Sequence, residues 1–511
     1  MGILFRILLV CMVFGRLITK KANGPATEQT DEEDVYRLDE FYDSSRPAPI
    51  EVADNPKVTS RPILRPQIKG LMAEFLLNND QLREYERRLI IDLRKGLNKQ
   101  THNSSIVKCF VTYIQDLPTG REKGTYLAVD LGGTNFRVLM VELGGPEKLH
   151  MTSMQFAVPQ EKMLGTGDNL FTYLADCIAM FVEKYNLKNP NIVYSMGFTF
   201  SFPLSQKSLN KALIERWTKG FNCSDVVGQD VGMLLQKAIQ RRGMKNIEIK
   251  VVINDTTGTL ISAAWKNPAC RIGLIIGTGT NACYVEKQKC AQLFDHKNRG
   301  SGEILINTEW GAFGDDGSLD FIRTRYDLEL DAQTINPGRQ VHEKMISGMY
   351  MGEIVRVLLV HAVKNGALFG GKGSHALFTR NMFLTKYVSQ IEAQAAGNHA
   401  KCMQIFGELG LPHISEEDCL NVRYICQCVS SRAAYMVSAG ICGLIRKMGE
   451  KNVAVGIDGS VYTYHPHVHR LMMEKIQELI MPGVQFQLML STDGSGRGAA
   501  LAAAVAAKYE N

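Results

Sequence analysis

No CxxC pair and no zinc-like Cys/His spacing occurs among the twelve cysteines, and Cys426-x-Cys428 is too tight for the usual finger. Metal-finger and disulfide-framework classes are set aside, and the thiols read as reduced, mostly core residues of an intracellular protein. A surplus of one charge is lacking too. The formal net charge is +6 over 511 residues, Lys and Arg are scattered, and doublets such as Arg241-Arg242 and Lys20-Lys21 come nearest to clusters. That pattern does not suggest a nucleic-acid surface, although it suits anionic small substrates. The glycine-rich segments match neither GxxxxGK[ST] nor a strand-to-helix GxGxxG, which speaks against P-loop and dinucleotide-binding folds. What is abundant is apolar material, 45% of the chain. It is enough for two or more cores, and two lobes around a cleft are the expectation.

The opening residues "MGILFRILLVCMVFGRLITKK" contain an apolar stretch, Ile7 to Phe14, flanked by Arg6 and Arg16. It is far shorter than the roughly 20 residues of a membrane-spanning helix. A signal h-region, an interfacial anchor and an amphipathic organelle-directed segment all fit. Arg6 stands where myristoylation wants Ser or Thr. Asn254-Asp255-Thr256 is a glycosylation sequon, as are Asn103-Ser104-Ser105 and Asn222-Cys223-Ser224, and a glycan on the first of these weighs against a secreted life. The expected location is the cytoplasm, with residues 1–21 contacting a membrane such as the mitochondrial outer face. A monomer is the default. Residues 22–61 are acidic, proline-bearing and aperiodic and read as a linker. Helical spacing starts near Ile68, with Leu71, Met72, Phe75 and Leu76, so the folded part is expected over residues 62–511.

Within it, "VVINDTTGTL" at 251–260 runs an apolar strand into a turn. Val251, Val252 and Ile253 suit an interior strand of a sheet covered on both faces. Asp255 then lies at a carboxyl end, where open α/β sheets place ligands. Taken by itself, the segment favours the plainer reading that Asp255 caps a helix starting near Thr256, since Asp is a preferred N-cap residue. A partial echo links "YLAVDLGGTNFRVLMVEL" at 126–143 with "IGLIIGTGTNACYVEK" at 272–287: apolar strand, glycine-rich turn ending Gly-Thr-Asn, second apolar strand. Glycine turns let backbone N–H groups approach a phosphate, and threonine hydroxyls add donors. Two such hairpins facing each other can hold a nucleotide's phosphates between related lobes.

The ordered segments "AVDLGGTNFRV", "MGFTFSFPL", "RWTKGF", "VVINDTTGTL", "IIGTGTNACY", "NTEWGAFG", "NPGRQVHEKMISGMYMGE", "IDGSVY" and "DGSGRGAAL" together resemble the hexokinase family, from about Arg65 to the C-terminus. The resemblance implies an α/β, two-lobed actin-like ATPase (ribonuclease H-like) fold with a central cleft. The large lobe would comprise residues 62–116 and 258–491, and the small lobe residues 124–253 and 497–511. It further implies that a hexose is held by Ser201, Phe202, Thr218, Lys219, Asn254 and Asp255, completed by Asn281, Glu309 and Glu343. ATP would lie against Asp130, Gly132, Gly133, Thr134, Asn135 and Arg137 on one side and Thr278, Gly279 and Thr280 on the other. Thr385, Ser389, Gly459 and Ser460 would close that pocket.

The implied reaction moves the γ-phosphoryl of ATP to the 6-hydroxyl of glucose or a related hexose. Asp255 would be the general base, Lys219 and Arg137 would offset phosphate charge, and Mg²⁺ would be carried by ATP with Asp130 reaching it through water. The residue types suit that chemistry: a hexose is a ring of hydroxyls, which carboxylates and amides bind well because unpaired polar groups in a closed site are costly. Closure of the lobes on the sugar is expected, since water in an open cleft would otherwise hydrolyse ATP. Thr492 departs from the family, which commonly carries an acidic residue there. A hexose- and nucleotide-binding sensor with little turnover is the alternative from another class.

Overall fold

The computed structural model describes residues 64–145 and 148–508. The N-terminal segment and linker discussed above lie outside the described residues.

Among the described residues, apolar runs with branched side chains make thirteen strands: β1 (Phe110–Val111), β2 (Lys123–Leu131), β3 (Asn135–Gly144), β4 (Leu149–Ala157), β5 (Tyr194–Phe200), β6 (Leu204–Gln206), β7 (Ala212–Ile214), β8 (Ile247–Ile253), β9 (Cys270–Ile276), β10 (Thr280–Lys287), β11 (Glu303–Asn307), β12 (Asn452–Asp458) and β13 (Gln485–Leu490). One sheet runs β4-β3-β2-β5-β8 and another β1-β11-β10-β9-β12-β13. Setting β1 aside, the two share one plan. Three antiparallel strands joined by hairpins (β2 to β4, and β9 to β11) are followed by two parallel ones, β5 and β8 in one sheet, β12 and β13 in the other. The echo between the two glycine-rich segments is thus the visible part of a repeated five-stranded unit.

β8 and β13 each run into a helix, Asp255–Lys266 and Gly494–Ala507. These two helices pack on each other between the sheets, the first against β9 and β12, the second against β2, β5 and β8. Glycine makes the approach achievable: a Cβ on Gly498 would lie 2.1 Å from the Gly258 carbonyl oxygen, and one on Gly197 2.0 Å from that of Ala499. A shared apolar cluster that includes Ile253, Leu260, Leu305, Ala499 and Leu501 fills this junction. Separate cores cover each sheet, one containing Phe171, Phe181, Phe198 and Leu235, the other built on the long helix Glu416–Met448. That helix opens on a Ser415 capping box with Glu416, Glu417 and Asp418, and ends on Arg446, Lys447 and a left-handed Gly449, so charge complements its dipole at both ends.

Two expectations are corrected. β8 is the terminal strand of its sheet, not an interior one. Its edge is covered by the β6–β7 hairpin: the Val252 N–H donates to the Leu209 carbonyl at 2.8 Å, and Gln206 Nε2 donates to the Val252 carbonyl at 2.9 Å. That cover explains why Val251, Val252 and Ile253 read as fully buried. The second concerns the cap. Asn254, not Asp255, is the N-cap; its Oδ1 accepts from the Thr257 N–H at 2.9 Å, and Asp255 is the first helical residue. The cysteines are as expected among the described residues: none is disulfide-bonded, and all but Cys290 are buried.

Candidate active site

The first glycine hairpin, between β2 and β3, lines a cavity with Asp130, Gly132, Gly133, Thr134, Asn135 and Arg137, all six anticipated, together with Gln155. Asp130 and Arg137 face each other across the ladder, and the guanidinium donates to Asp130 Oδ2 at 2.9 Å. Ser495 Oγ donates to the same oxygen at 2.8 Å. The buried Oδ1 has no hydrogen-bond partner among the described residues. Arg137 also pairs with Asp493 at 2.6 Å, a residue held at φ 53° where the Gly494–Ala507 helix begins. Burial would lower the Arg137 pKa, but the Asp493 and Asp130 carboxylates outweigh it and raise it. One cation between two carboxylates leaves the cluster net negative. Arg137 thereby orients Asp130 while itself lining the same cavity.

The second hairpin turn, Gly277 to Gly279, is anchored from outside. The carbonyls of Gly277 and Thr278 accept from the N–H groups of Gly348 and Met349 at 2.8 and 3.2 Å. Gly459, at φ 113°, lies against the turn, where a Cβ would stand 2.5 Å from the Ile276 carbonyl carbon; Thr278 and Ser460 are exposed beside it. Asp458 joins this turn to the first hairpin's cluster. Its Oδ1 accepts from the Gly459 N–H at 2.6 Å, its Oδ2 from the Gly494 N–H at 3.3 Å. Burial raises its pKa, with Asp493 and Asp255 adding to the rise.

Two threonines of the expected nucleotide side have their hydroxyls engaged within the protein. Thr280 is buried, and its hydroxyl accepts from Trp310 Nε1 at 3.2 Å, so it faces the core and not a nucleotide. The Thr385 hydroxyl donates to the Gly348 carbonyl at 2.5 Å and accepts from the Gly352 N–H at 2.9 Å, which makes it an anchor for the neighbouring helix. Ser389 lies half-buried one turn on.

On the other side of Asp255 the remaining residues converge. Asn281 Nδ2 donates to Asn307 Oδ1 at 2.8 Å and to Glu309 Oε1 at 3.2 Å, and Asn307 Nδ2 donates to the same Glu309 oxygen at 2.8 Å. Glu309 adopts φ 55°, ψ 42°, which turns its carboxylate toward these amides. Burial raises its pKa; Asn307 and Arg216 oppose the rise and Asp255 adds to it. Glu343 Oε2 accepts from the Thr280 N–H at 3.0 Å and sits where a Gly279 Cβ would be, 2.5 Å away. Burial pushes the Glu343 carboxyl up to about 7, against the Thr280 N–H and Lys219, with Glu309 contributing to the rise.

From the smaller sheet, Phe202 and Asn254 share a cavity with Asn307 and Thr257. The Phe202 ring packs on Phe200, Trp217 and Phe221 at centroid distances of 4.7, 5.0 and 5.1 Å, which fixes the loop carrying Ser201. Thr218 is half-buried. Lys219, exposed at φ 55°, holds its Nζ 5.7 Å from the Phe202 ring centroid. Asp255 lies within electrostatic reach of both Glu309 and Asp458. Its Oδ1 accepts from the Thr256 N–H at 2.7 Å, which holds the carboxylate, and among the described residues no group donates to Oδ2.

Sequence reasoning missed Asn307, Asp458, Asp493, Ser495 and Gln155. Asn307, Asp458, Asp493 and Ser495 stand in or beside the segments "NTEWGAFG", "IDGSVY" and "DGSGRGAAL"; for Asp458 and Asp493 an acid directly before a glycine was the available signal.

Two models described as hexokinase match residues 67–265 and 271–505. Human Hexokinase-1 is 43% identical over 447 residues, covering 86% of this chain and 48% of that protein. Human Hexokinase-2 is 43% identical over 443 residues, covering 84% and 47%. The chain thus spans about half the length of the curated relatives it matches. A solved hexokinase from Schistosoma mansoni complexed with glucose is 40% identical, covers 86% of this chain and 98% of that one, and superposes with a TM-score of 0.78. A second hexokinase crystal structure gives 29%, the same coverage and a TM-score of 0.75.

Proposed function

This chain belongs to the hexokinase family, and from that premise we propose that it transfers the γ-phosphoryl group of MgATP to the 6-hydroxyl of glucose or a related hexose, the entry reaction of glycolysis. The observation that carries the reading is the position of Asp255. It is released from capping by Asn254 and lies in reach of Glu309 among the amides and of Asp458 at the glycine turns. A hydroxyl bound on the Glu309 side therefore meets a phosphoryl group bound on the Asp458 side beside one carboxylate.

Phosphoryl transfer asks mainly for in-line positioning and for stabilisation of charge on the transferred group. Asn281, Asn307, Glu309 and Glu343 supply the acceptors and donors that orient a ring of hydroxyls, with Ser201, Phe202, Thr218 and Asn254 facing them from the smaller lobe. Asp255 accepts a hydrogen bond from the 6-hydroxyl and takes its proton as the bond to phosphorus forms. Lys219 and Arg137 are the cations that would offset charge on the phosphates. Asp130 fits a hydrated divalent cation, since its buried Oδ1 is unpartnered and its cluster is net negative. Mg²⁺ carried by ATP would be held through water by Asp130 and would supply charge neutralisation on the phosphates.

The preparation to assay is the full chain with MgATP, followed by coupled detection of sugar 6-phosphate with glucose, fructose and mannose in parallel. Sugar-dependent product is expected; ATP hydrolysis at the same rate without sugar would contradict the proposal. We also propose a cytoplasmic monomer whose residues 1–21 hold part of the protein at a membrane such as the mitochondrial outer face. A fractionated membrane pool left unchanged by deleting those residues would contradict it.

A further inference from the structure

Beneath the two glutamates lies a buried polar chain that the proposed chemistry does not use. Tyr85, on the Asn79–Leu97 helix, places its hydroxyl 2.5 Å from His342 Nε2. His342 Nδ1 lies 3.0 Å from the Trp310 carbonyl oxygen. Trp310 Nε1 donates to Thr280 Oγ1, and the Thr280 N–H donates to Glu343. Because Glu343 follows His342 in the chain, these bonds close a ring: His342, Trp310, Thr280, Glu343 and back. Glu309 precedes Trp310 and Asn281 follows Thr280, so the amide contacts of the sugar side hang from the same ring.

The hydrogen-bond roles follow from chemistry. A carbonyl oxygen only accepts, so His342 Nδ1 must carry the proton, Nε2 must accept, and Tyr85 must donate. Burial lowers the His342 pKa to about 3, which keeps the ring neutral, and raises that of Tyr85. Tyr85 thereby selects the tautomer that lets His342 hold Trp310. The backbone N–H of His342 donates to the Phe313 carbonyl at 3.1 Å, and the imidazole meets the Trp310 ring edge-on at 5.4 Å. A Cβ on Gly440 would come within 2.9 Å of the Trp310 ring, so the long helix gives Trp310 one seat. A Phe–Phe pair would fill this volume without the cost of desolvating a phenol and an imidazole. A fully satisfied polar network, in contrast, fixes one geometry.

We infer that His342, with Tyr85 behind it, is a positioning residue that sets the separation and aim of Glu309 and Glu343, and so governs hexose affinity specifically. The inference rests on the proposed function. Its test is calorimetric titration of the full chain with glucose in the absence of ATP, alongside KM values for glucose and ATP, on wild type, Tyr85→Phe, His342→Phe and His342→Asn.

His342→Phe should weaken glucose binding about fivefold to tenfold, the worth of one buried hydrogen bond, with KM for ATP changed less than about twofold. Tyr85→Phe, which keeps ring volume and guards against a misfolded His342→Phe, should shift glucose affinity in the same direction by less. His342→Asn, whose amide N–H stands in for Nδ1–H, should recover part of the loss. Glucose affinity unchanged in both phenylalanine variants, or KM for ATP rising in step with that for glucose, overturns the inference. A wild-type chain that binds no glucose overturns the functional reading and this inference with it.

Discussion

Replacing Glu343 with glutamine gives a prediction whose size follows from the site. The Glu343 carboxyl has its pKa raised from 4.5 to about 7, mainly because it is buried. The folded state then holds this proton more tightly than the unfolded chain does. Its contribution to stability is fully present below about pH 4.5 and is lost as the pH climbs through about 7. At about 1.36 kcal/mol for each pH unit between the two values, the whole effect is roughly 3 kcal/mol, and about 2.5 kcal/mol of it is lost between about pH 5 and about pH 8. Glu343→Gln abolishes the titration while its amide oxygen still accepts from the Thr280 N–H. Urea unfolding followed by tryptophan fluorescence at stepped pH should therefore show wild type losing about 2.5 kcal/mol more than the variant over that range. Contributions common to both cancel in the difference. Parallel pH profiles would refute the reasoning.

Gly279→Ala would bring a methyl within 2.5 Å of Glu343 Oε2, the movable end of a side chain; glucose affinity should fall about tenfold while unfolding free energy changes by less than ~1 kcal/mol, read by calorimetry and urea titration. Gly498→Ala has its clash with backbone, 2.1 Å from the Gly258 oxygen, so it should cost about 3 kcal/mol or more in the same titration. Glucose should draw the lobes together, since sugar-side residues come from both sheets; a smaller radius of gyration in solution scattering is expected, and profiles that coincide with and without glucose would count against closure.

Both glycine hairpins and the β8 strand were legible because local pattern decides them: an apolar run, then glycines or Asn-Asp. The fold class and most candidate residues came from the ordered segments taken together, since no single Asp or Asn in them is distinctive. What stayed hidden is set by long-range partners. Asn254 and Asp255 are both good N-caps, and the strand's register chooses between them. Thr280 reads as a phosphate-side hydroxyl until Trp310, thirty residues on, claims it. The carboxylate partners of Arg137 stayed hidden as well: Asp493, brought alongside by the helix after β13, shares it with Asp130. The terminal place of β8 was invisible because a hairpin buries its edge as well as a neighbouring strand would. Thr492, the departure from the family pattern, is exposed; its carbonyl accepts from Arg497 at 3.0 Å.

The central claim is that Asp255 receives the proton of the attacking hydroxyl. Its most direct test compares wild type with Asp255→Ala, measuring glucose binding by calorimetry and sugar 6-phosphate formation from MgATP in the same preparations. Glucose binding largely retained with turnover reduced by at least ~10² is the expected result; near-normal turnover in the variant would contradict the account.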